Sequence, residues 1–134
     1  MSFGDDVAGF ARMAGSSLEQ TARGVELRLF RAVIMDTPVL DGRLRGDWQT
    51  TTDTPASGEN GRADKQGGAT LAEMESIVAA IQGGSYTLLT NNMPYAYRIE
   101  FEGYSKTKAP EGMVRKNVAR FRQLLQEEAQ KNRV

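Results

Sequence analysis

Apolar positions near the start of the chain recur at helical spacing. Phe3, Val7, Phe10 and Ala14 fall at i, i+4, i+7 and i+11, the pattern of a weakly amphipathic helix. Gly15-Ser16-Ser17 ends it. Residues 1–16 therefore form an N-terminal arm, either a packed first helix or a segment that lies on a neighbour. Ser17 is a suitable N-cap for a second, longer helix. Along that helix Leu18, Ala22, Val25, Leu29 and Val33 make one stripe, which Leu27, Phe30 and Ile34 widen into a broad apolar face. Glu19, Arg23, Glu26, Arg28 and Arg31 take much of the remainder. Gly24 weakens its middle by about 1 kcal/mol relative to alanine, so packing must hold the helix there. Asp36-Thr37-Pro38 ends it, because the residue before a proline is pushed out of the α region.

The segment Thr37 to Trp48, "TPVLDGRLRGDW", follows. Asp41-Gly42 is a turn signal, and Leu44 and Trp48 are apolar anchors among Arg43, Arg45 and Asp47. Gln49-Thr50-Thr51-Thr52 favours a strand. Residues 53–69 hold glycines and a proline but no large apolar side chain. This long loop reads as a mobile surface loop, or as a β-hairpin tip or loop that orders on a partner. Thr70 and Glu73 fit a capping box opening a helix to about Gln82, with Leu71, Met74, Ile77, Val78 and Ile81 inward and Gly83-Gly84 as its stop. Ser85–Thr90 reads as a strand. After the Asn91-Asn92-Met93-Pro94 turn, residues 95–101 read as a second strand, with Tyr97, Ile99 and Phe101 on one side and Arg98, Glu100 and Glu102 on the other. A loop to Gly112 precedes a last helix, whose buried stripe is Val114, Val118, Phe121, Leu124 and Leu125 and whose tail "EEAQKNRV" frays. The order predicts an α+β fold: a small, mostly antiparallel sheet packed by an N-terminal long helix, a middle helix and a C-terminal helix. Residues 17–134 would form a single domain with the long loop at 53–69.

Composition narrows the chemistry. The 134 residues include no cysteine and no histidine, which removes thiolate catalysis, disulfides, the commonest general base and most zinc sites. Lysine plus arginine equals aspartate plus glutamate at 17 each, whereas a domain built to hold duplex DNA is usually basic. No apolar run reaches the roughly 18 residues needed to span a bilayer, and "MSFGDDVAGF" lacks the order of a signal peptide. The expectation is a soluble intracellular chain.

Among possible sites, Glu100 and Glu102 with Asp41 or Asp47 offer oxygen ligands for Mg²⁺ and so a metal-dependent nuclease, although their spacing matches no established metal motif. No phosphate-binding glycine motif follows a strand, and no serine or lysine has a base arranged to activate it. Ser105–Pro110 and the arginines of the last helix could meet phosphate, or form a solvated face or a rim against acidic protein. Tyr86, Tyr95, Tyr97 and Tyr104 cluster with Phe101. Tyrosine gives contact area with a polar tip, which suits interfaces. Mixed with Arg98 and Glu100, they suggest a place where subunits meet.

Two stretches carry a resemblance. "TPVLDGRLRGDW" and "TNNMPYAYRIEFEGYSKTKAPEGMVRKNVARF" together resemble the tail-completion or neck proteins of tailed bacteriophages, the group of the lambda minor tail protein Z and its head–tail joining relatives. That pattern runs T-P-V-D-T-G-x-L-R-x-x-W, later N-N-x-P-Y-A-x-x-[IL]-E-[FY]-G, then A-P-x-G-M-V before a last helix. The matches are Thr37, Pro38, Val39, Gly42, Leu44, Arg45 and Trp48, then Asn91, Asn92, Pro94, Tyr95, Ala96, Ile99, Glu100 and Phe101, then Ala109, Pro110, Gly112, Met113 and Val114. Leu40-Asp41 stands where the pattern has Asp-Thr, and Glu102 where it has glycine. The resemblance implies a non-catalytic α+β protein without a cofactor or a metal. It would form a ring of copies at the head–tail junction that completes or caps the tail for head attachment. Its partners would be copies of itself and the neighbouring tail and head-completion or connector proteins, with DNA passing through the lumen unread and no membrane involved. Trp48, Arg45, Tyr95, Tyr97, Arg98, Glu100 and Phe101 would shape the fold and its joins. A tail terminator, a head–tail adaptor ring and a nucleic-acid-binding module are the alternatives.

Overall fold

The long apolar stripe of residues 18–35 becomes the spine of the molecule. The computed structural model describes residues 3–14, 18–81, 85–101 and 112–131. Helix α1 (Phe3–Ala14) and the spine α2 (Leu18–Met35) are followed by the short α3 (Arg43–Gly46) and strand β1 (Gln49–Thr52). Then come α4 (Gly68–Ala80), β2 (Thr87–Thr90), α5 (Ala96–Phe101), α6 (Val114–Val118) and α7 (Phe121–Lys131). The fold is α+β. Strands β1 and β2 pair antiparallel, from Gln49 opposite Thr90 to Thr52 opposite Thr87. The expected caps at Ser17 and Gly83-Gly84, and the loop at 103–111, lie outside the described residues.

Helix α2 serves two apolar clusters. Its first half packs Ala22 and Val25 against Val7 of α1 and Leu125 and Phe121 of α7, so the N-terminal arm is a packed first helix. Its second half carries Leu27, Phe30, Val33 and Ile34 into the main core. There they meet Leu44, Trp48, Met74, Val78, Ile99 and Met113. The single stripe expected along α2 thus divides, and Leu18 lies outside both clusters with half its surface exposed.

Gly24 sits between the two halves. A methyl group there would overlap the carboxylate of Glu128 on α7, a side chain only 4% exposed. Close approach of α2 and α7 is therefore what retains a poor helix former at this position. Arg28 pairs with Glu127 and Glu128 on the same α7 turn. Of the tail expected to fray, residues 127–131 are helical with Glu128 and Ala129 buried, and 132–134 lie outside the described residues.

Four expectations need correction. Residues 96–101 form a helix where a strand was expected, so the sheet has two strands among the described residues. The last helix is broken in two, and Val118, expected inside, is 50% exposed. No capping box opens α4. The helix begins at Gly68, and Asp64 accepts the Gly67 amide, the Thr70 amide and the Thr70 hydroxyl. Glu73 points elsewhere, accepting the Thr50 amide on the outer edge of β1 and pairing with Arg62.

The long loop is the fourth. Instead of standing free, it is laced to the body through backbone groups that would otherwise go unpaired. Asn60 donates from its backbone to Asp47 and from its side chain to the Gly46 carbonyl. Arg62 donates to the carbonyls of Gly46 and Trp48, and the Asp64 amide donates to the Gly42 carbonyl.

The Gly24–Glu128 contact yields a signed prediction. Gly24→Ala alone lowers stability by about 1 kcal/mol or more, because it overpacks a buried contact. In a Glu128→Ala background the same change raises stability by up to about 1 kcal/mol, the helix-propensity gain. Urea midpoints of the four proteins complete the cycle. A stabilising Gly24→Ala in the wild-type background would refute the packing account.

Candidate functional site

Two of the residues singled out in the sequence, Arg45 and Trp48, converge on the carboxyl end of α2. The last carbonyls of a helix have no partner within it, and here Arg45 supplies one. From the next helix, its Nε donates to the Ile34 carbonyl at 3.1 Å and its Nη2 to those of Met35 (2.8 Å) and Thr37 (3.0 Å). Its Nη1 reaches the Lys65 carbonyl in the long loop. Gly42 allows this geometry: its φ of 88° starts α3 immediately after the Asp41 turn, a conformation that costs glycine little. A side chain at Gly42 would collide with the backbone of Asp64 and Lys65.

Trp48 closes the same junction from within. Its Nε1 donates to the Thr37 hydroxyl at 2.8 Å, and that hydroxyl donates on to the Val33 carbonyl at 2.7 Å. A buried indole N–H needs such a partner. Asp47, 1% exposed, accepts the amides of Asn60 and Asn92. Asn91 donates to the Leu44 carbonyl, and Asn92 donates to those of Ala56 and Gly58. The polar turn before α5 is thereby tied to α3 and the long loop at once.

Glu100 anchors the other side. It is 6% exposed, and its carboxylate accepts the amides of Met113, Val114 and Arg115 at 2.6, 2.7 and 2.9 Å. Arg115 adds its Nε to the same carboxylate and an Nη2 to the Glu100 carbonyl. The acid thus caps the amino end of α6 from another helix. Asn117 continues the chain of contacts from the Met113 carbonyl to Asp36, just past α2.

The helical form of residues 96–101 separates the predicted site residues. Their period is 3.6 instead of 2, so Ile99 and Glu100 turn inward while Tyr97, Arg98 and Phe101 face out. Tyr97 is 63% and Phe101 55% exposed. Their rings lie 4.9 Å apart, one helical turn from each other, with the Arg115 guanidinium 5.3 Å from the Phe101 centroid. Tyr95 packs on the main core, and burial, then the nearby Asp41 charge, pushes its hydroxyl pKa above the ordinary value. The structure therefore gathers Trp48, Arg45 and Glu100 into the interior scaffold and puts Tyr97, Arg98 and Phe101 on an outer surface. Asp47, Arg62 and Asn117 were not anticipated as structural polar groups. Alternation with apolar anchors gave no sign of it, although Asn91-Asn92 is typical turn chemistry.

As for chemistry, both Glu100 oxygens are engaged by amides and Arg115, which commits the residue to holding α6. No group of three or more acidic side chains that could hold a metal ion occurs among the described residues. Glu102 and Ser105–Pro110 lie outside them. No described helix is long and apolar enough to cross a membrane. Comparison of the chain with protein-family models, with curated proteins and with solved structures gives no match.

Protonation couples this scaffold to pH. Burial disfavours ionised Glu100, but the amides of Val114, Arg115 and Met113 and the Arg115 side chain outweigh it and hold its carboxyl below the ordinary range. Asp64 behaves alike: burial opposes its charge, and Thr70, Gly67 and Arg62 overcome that. Depressed folded values contribute stability above the unfolded pKa, about 4, and lose it as pH falls through the folded ones. Glu26 acts oppositely, since burial raises its pKa against the pull of Arg23.

Glu100→Gln should cost about 2 kcal/mol at neutral pH, since it leaves buried amides poorly matched. Its deficit against wild type should shrink below about pH 4, where the native acid also protonates. A deficit that stays constant on acidification would disprove the anion-cap role. Arg45→Lys should also destabilise by about 2 kcal/mol, because an ammonium cannot serve the carbonyls that the planar fork reaches together. Thermal melting of this variant checks it; an unchanged midpoint would contradict the capping account.

Proposed function

We propose that the chain is a structural subunit of the neck of a tailed bacteriophage. Copies form a ring at the head–tail junction that completes or caps the tail so that a filled head attaches. The observation that carries this reading is the use made of the matched residues. Thr37, Leu44, Arg45, Trp48, Asn91, Asn92, Glu100 and Met113 are joined in one scaffold of hydrogen bonds and apolar contacts. A motif whose members hold one another in place defines a shape, and a ring subunit is used for its shape. The exposed aromatic and cationic surface of α5 supports it further, being the composition of protein interfaces.

Tail terminator and head–tail adaptor rings share these requirements and remain within the proposal. DNA passes the lumen without being read. A nucleic-acid-binding module is less well supported. Arg115 is tied to Glu100, Lys116 lies 3.5 Å from Asp36, and Arg122 lies 3.9 Å from Asp6, so much of the last region's positive charge is balanced within the chain.

Virions produced without this chain should accumulate as separate filled heads and tails under negative-stain microscopy. Normal joining in its absence would defeat the neck reading. Steeply salt-dependent DNA binding by the purified chain would favour the nucleic-acid module instead.

A further inference from the structure

Asn60-Gly61 is the one asparagine–glycine pair in the chain. Such a pair carries a latent reaction. Hydroxide removes the glycine amide proton, and the nitrogen attacks the asparagine side-chain carbonyl. A C–N bond closes a succinimide ring as ammonia leaves. Water then opens the ring to aspartate or isoaspartate. Glycine favours the attack because no side chain shields its nitrogen. Here the surroundings are open as well. Gly61 adopts a φ of 73°, and a Cβ on it would meet nothing within 4 Å. Asn60 is itself exposed, so water and hydroxide reach the pair.

The fold restrains what exposure leaves open. Asn60 Oδ1 accepts the Arg62 amide at 2.9 Å, a side-chain turn that asparagine favours. Nδ2, the leaving group, donates to the Gly46 carbonyl at 2.9 Å. The Asn60 amide donates to Asp47 Oδ1, also at 2.9 Å, which fixes the backbone from which the side chain swings. Ring closure must turn the carboxamide onto the Gly61 nitrogen and release Nδ2, and these movements give up the bonds that hold it. The restraint is shared with the rest of the loop, since Arg62 grips the same Gly46 carbonyl and that of Trp48. Reaction therefore proceeds from local openings of the loop.

We infer that Asn60 is a conditional deamidation site: it keeps its amide while the 53–69 loop is fastened, converts when the loop opens, and then cannot fasten the loop again. Either product puts a carboxylate oxygen where Nδ2 stands. That oxygen repels the Gly46 carbonyl, which the amide had served as a donor. It also lies on the residue bonded to Asp47, a carboxylate only 1% exposed, so like charges meet. Isoaspartate further lengthens the main chain by a methylene just ahead of Arg62, whose bonds to Gly46, Trp48 and Glu73 depend on register. The reaction needs only water and hydroxide, and no step depends on the neck reading.

Purified chain is incubated at mildly alkaline pH, folded in buffer and unfolded in urea, and peptide mass spectrometry follows the conversion of Asn60. Folded chain should convert roughly tenfold or more slowly than unfolded chain, since only open copies react. Arg62→Ala, shown to be folded by circular dichroism, should convert severalfold faster than wild type in buffer and at the wild-type rate in urea. Asn60→Asp installs one product directly. Trypsin should cut this folded variant after Lys65, an exposed residue of the loop, roughly tenfold faster than wild type. Cutting after Arg31 in α2 should be unchanged, which separates an open loop from an unfolded chain. Equal conversion in buffer and urea would overturn the inference, and that comparison needs no variant. So would a folded Arg62→Ala chain that converts no faster than wild type, or an Asn60→Asp chain whose loop is cut no faster.

Discussion

The carboxyl end of α2 is the point on which the rest of the molecule depends. A helix packed along both halves brings its last carbonyls, partly buried at Ile34, to a junction where no partner within the helix remains for them. Arg45 meets this need with one planar group, reaching the carbonyls of Ile34, Met35 and Thr37 and also Lys65. Once Arg45 is fixed, α3 has only one place to lie. Trp48 then enters the core against Thr37, and β1 leaves in a set direction. The long loop returns across the same junction because its polar groups complete those of Gly42, Gly46 and Trp48. Local geometry and tertiary packing are one problem here, solved by a few side chains that each pair with several backbone atoms.

The second half of the chain repeats the device with the opposite charge. Glu100 gathers the first amides of α6 as Arg45 gathers the last carbonyls of α2. Asn117 links the two through Asp36. Glu100 keeps its charge because many partners offset the loss of water. Such sites hold short helices that would not form alone, and α3, α5 and α6 are all short.

How far the sequence reveals this follows from where its signals are local. The long periodic runs of α2 and α4 were legible, as were the threonine-rich β1 and its partner β2, because period and propensity agree there. Residues 95–101 misled for a physical reason. Tyr97-Arg98-Ile99-Glu100-Phe101 alternates large apolar with polar residues, and that alternation imitates a strand. Helical pairing of Tyr97 with Phe101 leaves both outside, so the apolar members do not mark a buried face at all. The 53–69 segment has the composition of a free loop, yet its order comes from partners far along the chain, at Asp47, Gly46 and Asn92. The capping box failed similarly. Asp64, several residues upstream of Thr70, outcompeted it, leaving Glu73 free to close the edge of β1. Trp48, Arg45 and Glu100 were legible as important, but what each one grips was not, since every grip crosses long stretches of sequence.

The conversion of that segment from strand to helix changes what the surface can do. On a strand, Tyr97, Ile99 and Phe101 would share one buried side, and Arg98 would share the other with Glu100. On the helix, Ile99 and Glu100 lock α5 to the core and to α6, so Tyr97, Arg98 and Phe101 stand on a support that cannot easily yield. A rigid aromatic surface loses little conformational freedom when it meets a partner. The backbone of Tyr86 is held as firmly, by two hydrogen bonds to Asp53. Residues that lie on the surface of this protein are thus fixed by residues that do not. The same acid that caps α6 therefore sets where the exposed rings stand, and loosening Glu100 would disturb the outer surface of α5 before it touched the main core.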